Sequence, residues 1–140
     1  MIRLRIQFLK EATPDKDTSR EDVLATSLEN YFARHLVAGD FINWLALDGG
    51  AIVATGGICF HAYPPNFSSL GAERAYIMNI FTVPGYRNRG LGARIFEKLM
   101  DEAARRGVSM VSLHATDMGR KMYEKFGFEA GESEMMVILK

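Results

Sequence analysis

The feature that most constrains this chain is a turn without acidic residues that joins a β-type run to a helical run. Residues 75–83 are rich in aromatic and β-branched side chains, and Pro84-Gly85 ends the run. From Leu91 onwards, apolar residues recur at helical spacing up to two arginines and a glycine at 105–107. The sequence therefore predicts a buried strand, a short loop and a helix that begins close to Gly90.

The loop between these two elements has the properties of an anion site. The first backbone N–H groups of a helix have no intrahelical partner and carry partial positive charge, so an anion placed there gains several hydrogen bonds. Gly90 and Gly92 lack the Cβ that would keep a phosphate at a distance. Residues 84–96 contain three arginines and no acid. The segment predicts phosphate binding, and the alternative is a tight turn that only packs the helix on the strand.

The spacing of the glycines excludes two common phosphate loops. No Lys-Ser or Lys-Thr follows Gly92, and no early strand, glycine fingerprint and later acid occur in order. The pattern Arg87-x-x-Gly90-x-Gly92 instead resembles the pyrophosphate signature of the GCN5-related N-acetyltransferase (GNAT) family. Residues 119–128, with a tyrosine and a closing Gly-Phe, are similar to the late helix of that family. The two motifs occur in the family's order, and the resemblance covers about residues 41–140.

The remaining segments predict a mixed fold. Predicted helices lie at 21–38, 91–106 and 117–126, and predicted strands at 41–47, 51–60, 75–83, 108–114 and 134–139. Asp48-Gly49-Gly50 joins the first two strands as an antiparallel hairpin, and Thr18 or Ser19 is expected to cap the first of these helices. We predict one α/β (α+β) domain over residues 1–140, with a mixed, largely antiparallel central sheet flanked by helices. The resemblance implies the acyl-CoA N-acyltransferase fold, in which two strands diverge into a V-shaped cleft.

The N-terminal segment fits two structures. Apolar residues at 2, 4, 6 and 8 alternate with polar ones, which is typical of a half-buried strand. Residues 4–11 also resemble the end of the family's first helix, and in that case the family's first strand is missing or atypical in this chain. Both interpretations stay open at this point.

Composition excludes several classes of protein. The chain has 17 basic and 17 acidic residues, so its overall field attracts neither nucleic acid nor a membrane surface. Residues 11–40 are more acidic than the rest, which suits either a cationic amine or a solvated helix face. Cys59 is the only cysteine, lies in an apolar run and is expected to be a buried thiol. We expect a cytoplasmic protein with no metal site and no membrane span.

The resemblance implies acetyl-CoA as co-substrate and direct acetyl transfer, in a ternary complex, to an amine of a small molecule or peptide. It assigns the pyrophosphate to the start of the helix and the pantetheine arm to two backbone groups at the end of the preceding strand. Where many members of the family have an asparagine on the pantetheine arm, this chain has a threonine. The predicted cofactor-binding residues are Phe81, Val83, Arg87, Asn88, Arg89, Gly90, Leu91, Gly92, Ala93 and Thr116.

Three residues are candidates for the catalytic steps. Tyr123 matches the family tyrosine that commonly protonates the departing thiolate, and the alternative is a tyrosine at the edge of the core. Asn79 cannot accept a proton at neutral pH but can orient the substrate or a water molecule. His114 carries an imidazole, the side chain suited to exchanging protons near neutrality; Glu73, Tyr76 or a water chain to bulk solvent are the alternatives.

Two broader questions also stay open. A non-catalytic acyl-CoA-binding or interaction domain of the same fold is the alternative function, because an intact phosphate loop supports both. A homodimer is expected if a strand edge of the sheet is left to be covered.

Overall fold

The helices and strands follow the predicted order closely. The structure is a computed structural model that describes residues 1–67, 69–131 and 136–137. One turn of 3-10 helix lies at Pro84–Tyr86, and the other elements are regular helices and strands. These are α1 (Ile2–Ala12), α2 (Glu21–Ala38), β1 (Phe41–Asp48), β2 (Ala51–Ala62), β3 (Glu73–Thr82), α3 (Leu91–Arg105), β4 (Val111–Leu113) and α4 (Asp117–Lys125). Within the described residues the strands form one sheet in the order β1-β2-β3-β4, antiparallel except for the parallel pair β3 and β4. The predicted fold class is confirmed.

The N-terminal segment is a helix, so the strand interpretation of residues 2–9 is wrong. Leu4 and Phe8 lie one turn apart in α1, and Leu4 is only 2% exposed. The Phe8 ring contacts Phe81 of β3 edge-on, with 6.3 Å between ring centroids. Four apolar residues in a short window fit either periodicity, and packing of one helical face on the sheet decides between them.

The predicted cap of the next helix is also wrong. Arg20 is the N-cap residue of α2 and makes no side-chain capping hydrogen bond. Ser19 instead donates to the carboxylate of Asp17 through both its N–H and its hydroxyl, each at 2.8 Å. This local Asx-type turn competes with capping for the same serine. The other end of α2 agrees with the prediction, because Gly39 ends it with φ of +74°.

Helices cover both faces of the sheet. The main core lies between α3 and the sheet and includes Ile58, Ile77, Phe96 and Leu99. A Cβ built on Gly56 would lie only 2.5 Å from Ile95 Cγ2, so α3 approaches β2 as closely as a glycine allows. On the opposite face, α1 packs against β3 and α2 packs against β1. The sheet is therefore held between α3 on one side and the two N-terminal helices on the other.

The strands β3 and β4 pair only over a short distance. Their register runs from Ala75 opposite Val111 to Ile77 opposite Leu113. Beyond Ile77, β3 continues to Thr82 without a further partner on this side among the residues that the structure describes. A bulge follows at once, because Asn79 has φ of +61° and the β2–β3 register shifts by one residue there. The free part of β3 leads directly into the loop that precedes α3.

Three further predictions have different outcomes. The strand predicted at 108–114 is shorter, at Val111–Leu113. Apart from Met136 and Val137, which are exposed and have no regular structure, the strand predicted at 134–139 lies outside the described residues. Cys59 is half-buried, and burial raises the pKa of its thiol.

No helix in the described part of the chain is both long and apolar enough to cross a bilayer.

Candidate active site

The N-terminus of α3 is open towards solvent. Gly90 is its N-cap residue, with φ of +77° and ψ of 2°. The Arg94 N–H donates to Gly90 O at 3.0 Å, so the N–H groups of residues 91–93 precede the first helical bond and have no intrahelical acceptor. Among the described residues, a Cβ built on Gly90 meets nothing within 4 Å, and one built on Gly92 meets nothing closer than 3.8 Å. These outward amides fit a diphosphate group.

The arginines of this loop make contacts that their sequence positions did not predict. Arg87 donates through Nε to Thr82 O at 3.0 Å and through Nη2 to the Glu11 carboxylate of α1 at 2.5 Å. Arg89 donates to Gly85 O at 2.8 Å and lies 4.9 Å above the Tyr86 ring. The two arginine side chains therefore stabilise the loop, and the Glu11 carboxylate partly neutralises the positive charge of Arg87. Glu11 comes from a helix more than 70 residues away, so no local signal indicated it.

The backbone groups of Phe81 and Val83, which were predicted to contact the pantetheine arm, point away from the unpaired side of β3. The Val83 N–H donates to Val53 O at 3.0 Å, and Phe81 is paired with Thr55, so the backbone groups of Phe81 and Val83 face β2. Because successive residues of a strand alternate, the groups of Ile80 and Thr82 face the opposite, unpaired side. The cause is the extra residue at the Asn79 bulge, which shifts every later position of the strand by one.

Tyr123 lies at the inner face of α4 and is 8% exposed. Its ring packs against Phe96 and Phe128, at centroid distances of 5.3 and 6.3 Å. Its hydroxyl lies beside Gly119, where an added Cβ would be 3.2 Å from that oxygen and 2.9 Å from Cε2. Burial raises the pKa of Tyr123 to about 12, with a smaller contribution from Tyr76. The phenol therefore keeps its proton at neutral pH and is suited to be an acid.

The other two predicted catalytic residues, Asn79 and His114, each lie within hydrogen-bonding distance of another side chain. Asn79 is 3% exposed, and its Oδ1 accepts a hydrogen bond from Arg5 of α1. His114 follows β4 and lies with Nδ1 2.5 Å from the Tyr76 hydroxyl. Tyr76 also influences the pKa values of Arg5 and of Tyr123. The structure thus pairs His114 with Tyr76 and Asn79 with Arg5, and no motif had indicated Arg5.

Thr116 begins the helix that carries Tyr123, whereas the cavities lie elsewhere. Thr116 is the N-cap residue of α4, and its Oγ1 accepts from the Gly119 N–H at 3.3 Å. Its predicted contact with the pantetheine arm stays a prediction. Two surface cavities, of about 220 and 360 Å³, lie along α1 and α2 and share Ile6, Lys10 and Glu21 in their walls. None of the predicted site residues lines either cavity.

Comparison with known proteins decides the family. The model of the acetyltransferase (GNAT) family matches residues 6–128 of this chain. The chain belongs to the GNAT family. Two relatives and one solved structure show how similar this chain is to other acetyltransferases.

An uncharacterized N-acetyltransferase of Bacillus subtilis is 31% identical over 116 residues, which cover 78% of this chain and 67% of the relative. A thialysine N-epsilon-acetyltransferase of Mus musculus is 29% identical over 129 residues, which cover 91% of this chain and 72% of the relative. The crystal structure of a predicted acetyltransferase with acetyl-CoA from Clostridium acetobutylicum matches with a TM-score of 0.87 and 25% identity. That match covers 98% of this chain and 86% of the other. Membership of the GNAT family indicates N-acetyltransferase activity.

Proposed function

We propose that this GNAT protein transfers an acetyl group from acetyl-CoA to a primary amine of a small molecule or peptide, by direct attack in a ternary complex. The observation that carries the proposal is the open N-terminus of α3, which begins at a left-handed glycine after the short loop that follows the unpaired part of β3. The relative solved with acetyl-CoA supports the identity of the acyl donor.

The donor is held at two places. The diphosphate accepts hydrogen bonds from the N–H groups of residues 91–93, and Gly90 and Gly92 leave room for its oxygens. The pantetheine arm runs along the unpaired side of β3, where the backbone of Ile80 and Thr82 faces it. Binding energy from the remote diphosphate then positions the acetyl carbon for attack, which is how this geometry accelerates the reaction.

The reaction needs one proton donor and one proton acceptor. The amine nitrogen attacks the thioester carbonyl carbon, a C–N bond forms and the C–S bond breaks. Tyr123 gives its proton to the departing thiolate and is reprotonated from solvent. The same burial that raises the pKa of Tyr123 also raises the proton affinity of a thiolate formed beside it, so donor and acceptor stay matched. The proton lost by the amine passes to water or to the Tyr76–His114 pair.

Release of free CoA with a panel of amines tests the proposal. We expect amine-stimulated release, and Tyr123→Phe is expected to lower kcat by about 100-fold or more while the Kd for acetyl-CoA changes little. Tyr63→Phe is the matched control, because Tyr63 is exposed on the loop after β2 and lies against Arg74. Equal turnover of wild type and Tyr123→Phe would remove the acid role.

The same measurements separate the alternative functions. Tight acetyl-CoA binding without amine-stimulated release would leave a non-catalytic acyl-CoA-binding domain. Failure to bind acetyl-CoA at all would mean that the amides of α3 hold a different anion or none.

A further inference from the structure

We propose that the acceptor of this enzyme carries a carboxylate, and that the guanidinium of Arg5 binds it together with the side-chain amide of Asn79. The inference rests on the proposed function, because it assigns the acceptor side of the same reaction. Arg5 lies on α1 and belongs to none of the motifs that indicated the acyl-donor site.

Arg5 is a half-buried cation that has no carboxylate partner among the residues that the structure describes. The only side-chain hydrogen bond of Arg5 to a described residue is to Asn79 Oδ1, and its guanidinium carbon lies 5.7 Å from the centre of the Phe8 ring. The ion pairs in the described part of the chain involve Lys10, His35, Arg87 and Arg105, and not Arg5. A guanidinium has five N–H donors, and cations that leave water are ordinarily paired. Arg5 therefore has donors to offer to an anion.

The orientation of Asn79 adds a further donor. A guanidinium only donates, so the Asn79 amide turns Oδ1 towards Arg5 and keeps Nδ2 as a donor. The backbone holds this side chain in place, because Asn79 is the left-handed residue of the β3 bulge and is 3% exposed. Together the two side chains present mainly N–H groups, because Asn79 Oδ1 already accepts a hydrogen bond from Arg5. Such a pair suits the two oxygens of a carboxylate and repels an ammonium group.

The electrostatic surroundings agree with this chemistry. Burial lowers the pKa of the Arg5 guanidinium, and the groups that act in the opposite direction are the hydroxyls of Tyr76 and Tyr31. A phenol carries no charge at neutral pH, so neither tyrosine compensates the charge of Arg5. An acceptor carboxylate supplies the missing negative charge.

The position of Arg5 orients the acceptor. Asn79 is two residues past Ile77, where the pairing of β3 with β4 stops. Tyr76, which lies against His114, influences the pKa values of both Arg5 and Tyr123. Asn79 lies at the start of the unpaired part of β3, so a carboxylate on Arg5 lies at that part of the strand and the amine of the same molecule reaches along its unpaired edge. The structural alternative is that Arg5 only fastens α1 to the bulge.

Matched amines that differ by one carboxylate test the inference on the full chain. The pairs are lysine and cadaverine, alanine and ethylamine, and 6-aminohexanoate and pentylamine. For at least one pair we expect kcat/KM to be about tenfold to a hundredfold higher for the carboxylate, mainly through KM. Arg5→Gln brings this ratio to about one. Arg3→Gln, an exposed arginine on the same helix, leaves it unchanged.

A second variant covers the case in which Arg5→Gln does not fold. Asn79→Asp keeps a residue that tolerates the left-handed backbone and places a carboxylate directly against Arg5. The internal ion pair then occupies Arg5, so the variant is expected to fold and to lose the preference for the carboxylated amines. Wild type with equal kcat/KM for both members of every pair overturns the inference and leaves the acetyltransferase function intact.

A binding measurement decides the case in which no amine of the panel is acetylated. The six amines are titrated into ¹⁵N-labelled protein saturated with CoA, and the Nε–Hε signal of Arg5, assigned with Arg5→Lys, is followed. A shift with lysine, alanine or 6-aminohexanoate that their decarboxylated partners do not cause supports the inference. The same response to both members of every pair, or no response, overturns it even if the catalytic function has already failed.

Discussion

Gly90→Ala and Gly92→Ala add the same methyl group two residues apart, and we expect opposite effects on stability. Gly90 has φ of +77°, a left-handed conformation that costs an L residue about 1–2 kcal/mol. A Cβ there meets nothing within 4 Å, so the cost is conformational and not a clash. Gly92 lies inside α3 with 3.8 Å of clearance, and alanine is favoured over glycine in a helix by roughly 0.5–1 kcal/mol.

The length of the chain sets how far each substitution is expected to shift the melting temperature, Tm. Alanine also reduces the conformational entropy of the unfolded chain, which offsets about 0.4–1 kcal/mol of the destabilisation. The net loss of folding free energy for Gly90→Ala is therefore about 0.5–1.5 kcal/mol. With an unfolding entropy of about 2.1 cal/mol/K per residue, the 140 residues convert each kcal/mol into a shift of about 3 °C. Gly90→Ala is expected to lower Tm by about 2–5 °C, and Gly92→Ala to raise it by about 2–3 °C.

Differential scanning calorimetry of the two variants and wild type, at equal protein concentration and without acetyl-CoA, measures both shifts. Gly90→Asn is the control, because asparagine tolerates positive φ and is a good N-cap, so its Tm should lie above that of Gly90→Ala. If Gly90→Ala is as stable as wild type, the loop does not hold the left-handed turn. The outward amides of α3 would then lose their structural basis, and with them the acyl-donor site.

Three other predictions concern Tyr123 and the core. Gly119→Ala puts a Cβ 2.9 Å from Tyr123 Cε2, so steady-state kinetics should show kcat falling towards that of Tyr123→Phe; an unchanged kcat would contradict the placement of the hydroxyl. Because burial raises the pKa of Tyr123 to about 12, above the ordinary value near 10, the stability it contributes is complete below pH 10 and is lost as pH rises towards 12. Urea unfolding between pH 8 and 11.5 should show wild type losing up to about 2 kcal/mol more than Tyr123→Phe, and parallel losses would refute the shift. Gly56→Ala places a Cβ 2.5 Å from Ile95 Cγ2 and should lower the free energy of unfolding by about 1–3 kcal/mol in the same assay, whereas no loss would mean that α3 lies further from β2.

Features that depend on neighbouring residues could be predicted from the sequence. The hairpin around residues 48–50 and the end of α2 at Gly39 follow from local turn and helix-stop residues. The strand, loop and helix over residues 73–105 lie where apolar periodicity and the loop glycines predicted them. These features depend on backbone preferences over a few residues, so no information about distant packing was needed.

The register of β3 could not be predicted in the same way. An asparagine within a strand does not by itself indicate a bulge, and only the register shift between Thr55 and Gly57 of β2 and the positive φ of Asn79 reveal one. One inserted residue moves the unpaired backbone groups from Phe81 and Val83 to Ile80 and Thr82. Local propensity does not specify the register of a strand. Because strand periodicity is two, a shift of one residue nevertheless turns every later residue to the other side.

By itself the sequence determined the order of the elements from α2 to α4, the glycine turn before α3 and the place of Tyr123 on α4, since each depends on residues that are close in the chain. Only the tertiary structure decided that residues 2–12 are helical, and only it brought Arg5 to Asn79 and Glu11 to Arg87 across 74 and 76 residues. The physical reason is that a charged side chain finds its partner through the packing of α1 on the sheet. That packing is a property of the assembled core and leaves no periodic signal in the chain.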